Sequence, residues 1–409
     1  MKIALLGYGK EGKATEKYFK SHFKDATFDI FENLTPTEFA TADYSPYDYI
    51  FRSPSIPPFN NPKLTSVTKY FFDHCPCRII GVTATKGKGT TCSFIKALLD
   101  AEGYDTHLVG NIGNPAIDVL DQLRPDSVVV YEMSSFQLWD LEKSPFVAVI
   151  GHLEPDHLNI HKDYAEYLSA KGNIARFQTS DDYCVYNTEN PKAIKLSFLS
   201  PAHKVPYPFS IPDNIRDAIK LPGEHNIKNA MAAIAAVASF KNISPDEYIH
   251  TSAETIMRGL SSFHGLPHRL EFVRELHGVK YYDDNFSTNP SSTRVAVNAF
   301  PDSHVILIIG GRDKTNNEDL PEINRILQSQ NIASIILIGE SGHALAKRYN
   351  DPRFISVSSL EEAVKTASNE AKNLDHPIVL MSPAAASFDM FKDVYDRGDQ
   401  FQALVKNIR

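Results

Sequence analysis

The stretch that most constrains the fold is GVTATKGKGTTCSFI, residues 81–95. An apolar run, RIIGVTAT (78–85), leads into it, and a helical pattern over 90–102 follows. Strand, glycine-lysine turn and helix in that order read as a phosphate loop, with Gly81 as its opening glycine and Gly87-Lys88 as its close. Backbone N–H groups of such a turn cradle phosphates, and Lys88 reaches the outer ones. The loop residues Thr85, Lys86, Gly87, Lys88, Gly89, Thr90 and Thr91 are therefore nucleotide-site candidates. Gly89 stands where a magnesium-holding hydroxyl is usual, which makes Thr90, next in line, the candidate for that role.

A loop of this type belongs to an α/β sheet, and the rest of the chain agrees. Further strands are expected at 127–133, 146–151, 182–187, 279–284, 305–311, 334–339 and 377–382, with helices at 163–177 and 226–240 between them. The N-terminus opens its own βαβ series: KIALL (2–6), the turn GYGKEG (7–12), a helix, then TFDIFE (27–32). Gly7, Gly9 and Gly12 fit G-x-G-x-x-G, a weak signal alone. Three α/β blocks are expected, at 1–76, 77–265 and 266–409: Rossmann-like, a phosphate-loop ATPase with a mostly parallel sheet, and Rossmann-like again.

Composition removes several classes. Lys+Arg 42 against Asp+Glu 50 leaves a net charge of −8, unsuited to a general binder of nucleic acid or membrane surface. Four cysteines, with only one residue between Cys75 and Cys77, suggest neither a disulfide framework nor a zinc site. Without a long apolar run or a leader pattern, the expected setting is the reducing cytoplasm.

Other candidates lie where strands end. Glu132, in YEMSSFQL, closes an apolar strand, where a carboxylate suits magnesium or a helix N-terminus. Asp156 and His157, in GHLEPDHLNIH, end the next one and offer a second metal position. Lys171, in AEYLSAKGNI, reads by itself as a solvated lysine. His225, Asn226 and Asn229 supply more polar groups than one helix cap needs. Arg269, in LPHRLEFV, suits a phosphate clamp or a surface ion pair.

Taken collinearly, these strings resemble the Mur ligase superfamily, and within it the ligases that add D-glutamate to UDP-N-acetylmuramoyl-L-alanine. GNIGNP (110–115), GEHNIKNAMAA (223–233), YYDDNFSTNP (281–290), GGRDK (310–314) and SPAAASFDMFKDVYDRG (382–398) complete the set, which spans the whole chain. The resemblance implies ATP, two Mg²⁺ ions and an acyl-phosphate intermediate in peptidoglycan precursor synthesis by a monomer. It implies that Lys88 contacts the β/γ-phosphates, and that Thr90, Glu132 and His157 hold metal. It also implies that Lys171 carries a carbamate, which overturns its bland reading. Asn229, Arg269 and Asp284 match ATP-holding positions. Thr288, Lys314 and Ser387 match the D-glutamate pocket. Gly9, Lys10, Glu11, Ser53, Pro54, Asn111 and Ser134 match positions for the UDP-sugar.

Three departures stand out. Lys86 and Gly89 depart from the ligase loop, and the string GKGTTC is similar to folylpolyglutamate synthases, a related ligase alternative. Phe286 stands where the resemblance leads one to expect lysine, and Ser55 where a glycine is expected. A nucleotide-binding protein without catalysis is the remaining alternative, motivated by Phe286 and Gly89.

Overall fold

The computed structural model describes residues 1–158, 160–312 and 320–408. It is α/β, as expected, and falls into two compact units: 1–219 with 225–263, and 220–224 with 264–409.

The first unit holds two parallel sheets. The smaller contains β1 (Lys2–Leu6), β2 (Thr27–Phe31), β3 (Tyr49–Arg52) and β4 (Leu64–Thr65), in the order β2-β1-β3-β4. The larger contains β5 (Arg78–Thr83), β6 (Thr106–Gly110), β7 (Val128–Glu132), β8 (Val147–Ile150), β9 (Tyr183–Asn187) and β10 (His203–Tyr207). Its order is β10-β9-β8-β5-β7-β6. All five residues of β7 and all four of β8 are buried, which explains their unbroken apolar runs: a parallel sheet is covered on both faces. The chain leaves β5 toward β6 and β7 and then returns to β8 on the other side. This reversal opens a crevice at the strands' carboxyl ends, where open α/β sheets take ligands.

The second unit holds one sheet of β11 (Glu271–Leu276), β12 (Val279–Asp283), β13 (His304–Gly310), β14 (Ile332–Ile338), β15 (Phe354–Ser356) and β16 (Pro377–Met381). The order is β11-β12-β16-β13-β14-β15, with only β11 antiparallel. Short or half-exposed edge strands such as β6, β10, β11 and β15 carry no long apolar run, so the sequence does not announce them. Among the described residues no helix is long and apolar enough to cross a membrane.

Candidate active site

Gly81 lies inside β5, so it is a strand residue and does not open the loop. Five residues separate it from Gly87, one more than the phosphate-loop pattern allows. The turn itself is Ala84–Gly87, between β5 and the helix Lys88–Glu102. Gly87 caps that helix at φ +84°, and a Cβ there would lie 2.7 Å from Asn229 Oδ1. Only glycine meets both conditions. Asn229, on the helix Glu224–Phe240, also accepts from Thr91 Oγ1 at 3.4 Å and donates to Asn226 at 3.3 Å. The expected amide group thus lies directly over the turn.

Beneath the turn, Lys88 Nζ donates to the carbonyls of Ala84 (3.0 Å) and Thr85 (3.2 Å). Lys171 Nζ, buried on the helix Tyr164–Arg176, donates to Ala84 O (2.8 Å) and Thr83 Oγ1 (3.1 Å). Burial, reinforced by the Lys88 charge, drives the Lys171 pKa well below the usual lysine range; Asp156 and Glu132 oppose the shift. The neutral amine is the form that reacts with CO₂, and a lowered pKa raises its share.

Glu132 ends β7 and is buried. Its Oε1 accepts from Asn111 Nδ2 at 3.3 Å. His157 follows β8 in the left-handed region (φ +54°), half-exposed, with Nε2 3.5 Å from Asp156 Oδ2. Thr90 lies half-buried on the first helical turn. The departure Lys86 pairs with Glu154 at 2.8 Å, and hydrogen bonds from His152 and Lys86 hold the Glu154 carboxyl near pKa 2. Thr85 Oγ1 donates to Glu154 O at 3.0 Å and meets Tyr167 OH at 2.8 Å.

The cradle fits a phosphate chain, since a Cβ at its glycine would close it. Hard oxygen donors from Glu132 and a hydroxyl fit Mg²⁺. Among the described residues, the one cluster of three metal-type ligands lies elsewhere: His268, Glu271 and Asp283. Those groups are spent on one another and on Gln402.

On the sugar side, Gly9 precedes the helix Lys10–His22, and Lys10 is exposed. Glu11 turns inward: Oε1 accepts from Gln137 Nε2 at 3.1 Å, while Oε2 is sealed without a partner among the described residues. Burial lifts its pKa to about 7, against the lowering effects of Gln137 and Arg52. Ser53 Oγ donates to Gly7 O at 3.2 Å. Arg52, fully buried, pairs with Asp140 and donates to the carbonyls of Pro54 and Phe136. Ser134 and Gln137 form a capping box. Gln137 and Arg52, missed in the sequence, add polar ties between two sheets that already share one apolar core.

In the second unit, Asp284 is buried and accepts from Leu270 N (3.2 Å) and Ser382 Oγ (2.7 Å); burial raises its pKa to about 7. Arg269 is exposed. Thr288 precedes the cap of the helix Pro290–Asn298, and Ser387 Oγ is buried with no partner among the described residues. Lys314 lies outside the described residues. A cavity of about 460 Å³ opens beyond β13 and β16, with Ala384, Ala385, Lys347 and Arg348 in its wall.

Two family models match: the Mur ligase middle domain over 82–211, and the Mur ligase glutamate ligase domain over 268–384. A Ruminiclostridium cellulolyticum protein, UDP-N-acetylmuramoylalanine–D-glutamate ligase, is 34% identical over 100% of this chain and 97% of its own length. The chain belongs to the UDP-N-acetylmuramoylalanine–D-glutamate ligase family. A member from Clostridium botulinum strain Loch Maree is 35% identical over 88% of this chain and 83% of its own. Among solved structures, MurC of Thermotoga maritima superposes with a TM-score of 0.61 at 17% identity, covering 99% of each chain. A bifunctional folylpolyglutamate synthase/dihydrofolate synthase of Yersinia pestis gives 0.57 at 16% identity over 83% of this chain and 92% of its own. At such identities the likeness is of fold, and it extends to both ligase branches.

Proposed function

We propose that the chain joins D-glutamate to UDP-N-acetylmuramoyl-L-alanine with cleavage of ATP to ADP and phosphate, as a cytoplasmic monomer. Residues 1–76 would hold the UDP-sugar, 77–265 the triphosphate, and 266–409 the amino acid and part of the ATP. The observation that carries this reading is the meeting of Lys88 and Lys171 beneath a glycine turn at the end of β5.

A carboxylate resists attack by an amine. Transfer of the γ-phosphoryl group to the sugar's peptide carboxylate supplies a leaving group, and the D-glutamate amine then displaces phosphate through a tetrahedral intermediate. Lys88 would turn from its carbonyls to the outer phosphates, while the turn's N–H groups hold the chain in line. Thr90, Glu132, His157 and a carbamylated Lys171 would hold two Mg²⁺ ions. Bound Mg²⁺ offsets the charge gathering on the phosphoryl oxygens. The buried Lys171 amine, its pKa pushed down by burial and the Lys88 charge, is suited to carbamylation, which would put an oxygen-donor anion in its place.

The Glu11 carboxyl, its pKa lifted by burial to about 7, would repel a diphosphate beside Gly9 and Lys10 less than an ordinary carboxylate would. Ser53, Pro54, Asn111 and Ser134 complete that side. Thr288, Lys314 and the Ser387 hydroxyl, which has no partner among the described residues, would receive the amino acid. Lys347 and Arg348, which outnumber Glu340 in the wall of the cavity beyond β13 and β16, suit a dicarboxylate there. Asn229, Arg269 and Asp284 would serve the nucleotide.

The test is phosphate release and product mass with UDP-N-acetylmuramoyl-L-alanine and D-glutamate, L-glutamate or other amino acids in parallel, with a folate as the rival acceptor. Product with D-glutamate alone is expected. Turnover of the folate, or none with any pair, would overturn the reading.

A further inference from the structure

Arg269 sits between two residues in the left-handed region, His268 at φ +58° and Leu270 at φ +46°. Neither is glycine. Such conformations carry a cost and persist only where the surroundings enforce them. Here the enforcement is visible. His268 O accepts from Phe286 N at 3.1 Å, His268 Nδ1 bonds Asp283 Oδ2 at 2.7 Å, and Leu270 N donates to Asp284 Oδ1 at 3.2 Å. The segments 268–270 and 283–286 are thus locked together, with Arg269 projected outward.

Its guanidinium does not hang free. The Arg269 Cζ lies 5.0 Å from the centroid of the Phe286 ring. That ring is itself held, edge-on to Tyr395 at 5.2 Å and roughly parallel to His268 at 6.2 Å. The position at which a lysine was expected therefore carries an aromatic face. A lysine there would repel the guanidinium, whereas a ring face attracts it.

We propose that Phe286 is a positioning residue. Backed by Tyr395 and His268, it orients Arg269 as the anion-receiving group of this unit, toward the phosphates of a nucleoside triphosphate. The assignment of Arg269 to ATP rests on the function proposed above. Phe286 touches no reacting atom, and its effect passes through Arg269.

The experiment is a double-mutant cycle on the full chain with Phe286→Leu, Arg269→Ala and the pair, read by nucleotide affinity in a fluorescence titration and by steady-state kinetics. Phe286→Leu is expected to weaken ATP binding and raise its KM roughly two- to fivefold, with kcat and the KM for the amino acid held within about twofold. Phe286→Tyr keeps the ring face and should restore the wild-type KM. In the Arg269→Ala background, Phe286→Leu should cost nothing further, since the partner is gone. Multiplying losses, or a Phe286→Leu change confined to the amino-acid KM, would overturn the proposal. Nucleotide affinity is measured without turnover, so a chain lacking ligase activity would sink the functional reading and leave this cycle readable.

Discussion

Lys88 and Lys171 donate to one carbonyl oxygen: the two ammonium nitrogens lie 3.0 Å and 2.8 Å from Ala84 O. Two cations sharing one acceptor in a buried place is unfavourable, and burial, with the Lys88 charge, pushes the Lys171 amine toward its neutral form. Lys171→Ala should therefore lose roughly 10²–10³-fold in kcat, the scale of removing one preorganised charge-stabilising group. Short carboxylates should restore part of that loss. Wild type in CO₂-depleted buffer should slow, and bicarbonate should reverse the slowing. An alanine variant as active as wild type would remove the carbamate from the mechanism.

Glu11 sets a pH dependence whose sign follows from its environment. Its folded pKa, about 7, lies above the ordinary 4.5, so the folded state binds the proton more tightly. Its contribution to stability is present at low pH and is lost as pH rises from about 4.5 through about 7. Glu11→Gln removes the ionisation and keeps a similar shape. Urea unfolding read by Trp139, the chain's one tryptophan, should show little difference at pH 5. At pH 8 the variant should be more stable by roughly 3 kcal/mol. Equal stabilities at pH 8 would mean that Glu11 ionises without penalty.

The fold was legible where one face or both faces of an element are buried. β5, β7, β8, β13, β14 and β16 end within two residues of their expected positions, because parallel central strands are nearly all apolar. The turn at Gly87, the carboxylate ending β7 and the amide over the loop were also legible, since each is a local string at an element boundary. Gly81 was misread although the sequence itself excludes it: it lies within the apolar run RIIGVTAT, and five residues separate it from Gly87. Glu11–Gln137, Arg52–Asp140 and Arg397–Asn285 were not legible at all. Their members lie 126, 88 and 112 residues apart, and only the packing of separate elements brings them together. Phe286 looked like a lost cation, because its bond to Arg269 depends on a backbone clamp that no string encodes.

Gly87→Ala tests the cradle. A side chain at φ +84° costs about 1–2 kcal/mol, and the new Cβ would crowd the Asn229 carboxamide. Unfolding free energy should fall by that amount, and ATP affinity by at least about tenfold, equivalent to 1.4 kcal/mol. Removing the crowding with Asn229→Ala should not rescue binding, because the backbone strain remains and Asn229 is itself proposed to serve the nucleotide. Calorimetric titration of both variants decides the matter, and wild-type affinity in Gly87→Ala would show that the turn does not grip phosphate.

Arg397 offers the sharpest test of the second unit. It is fully buried, with Asp389 and Asp283 acting on it through charge alone and no ion pair among the described residues. Instead its guanidinium bonds Asn285 Oδ1 at 2.5 Å, Asn285 O at 3.3 Å, Ala385 O at 3.0 Å and Ala386 O at 3.2 Å. Burial lowers its pKa to about 10, and the surrounding oxygens keep the cation in place. One side chain thus fastens the loop leading to Thr288 to the loop leading to Ser387. Arg397→Lys retains the charge but cannot span both loops, so the unit should lose roughly 3 kcal/mol of stability. Because Thr288 and Ser387 are proposed to receive the amino acid, the KM for D-glutamate should rise several times more than the KM for ATP. Equal changes in the two KM values would show that the loops move as one body with the nucleotide side, and that Arg397 does not fix the pocket by itself.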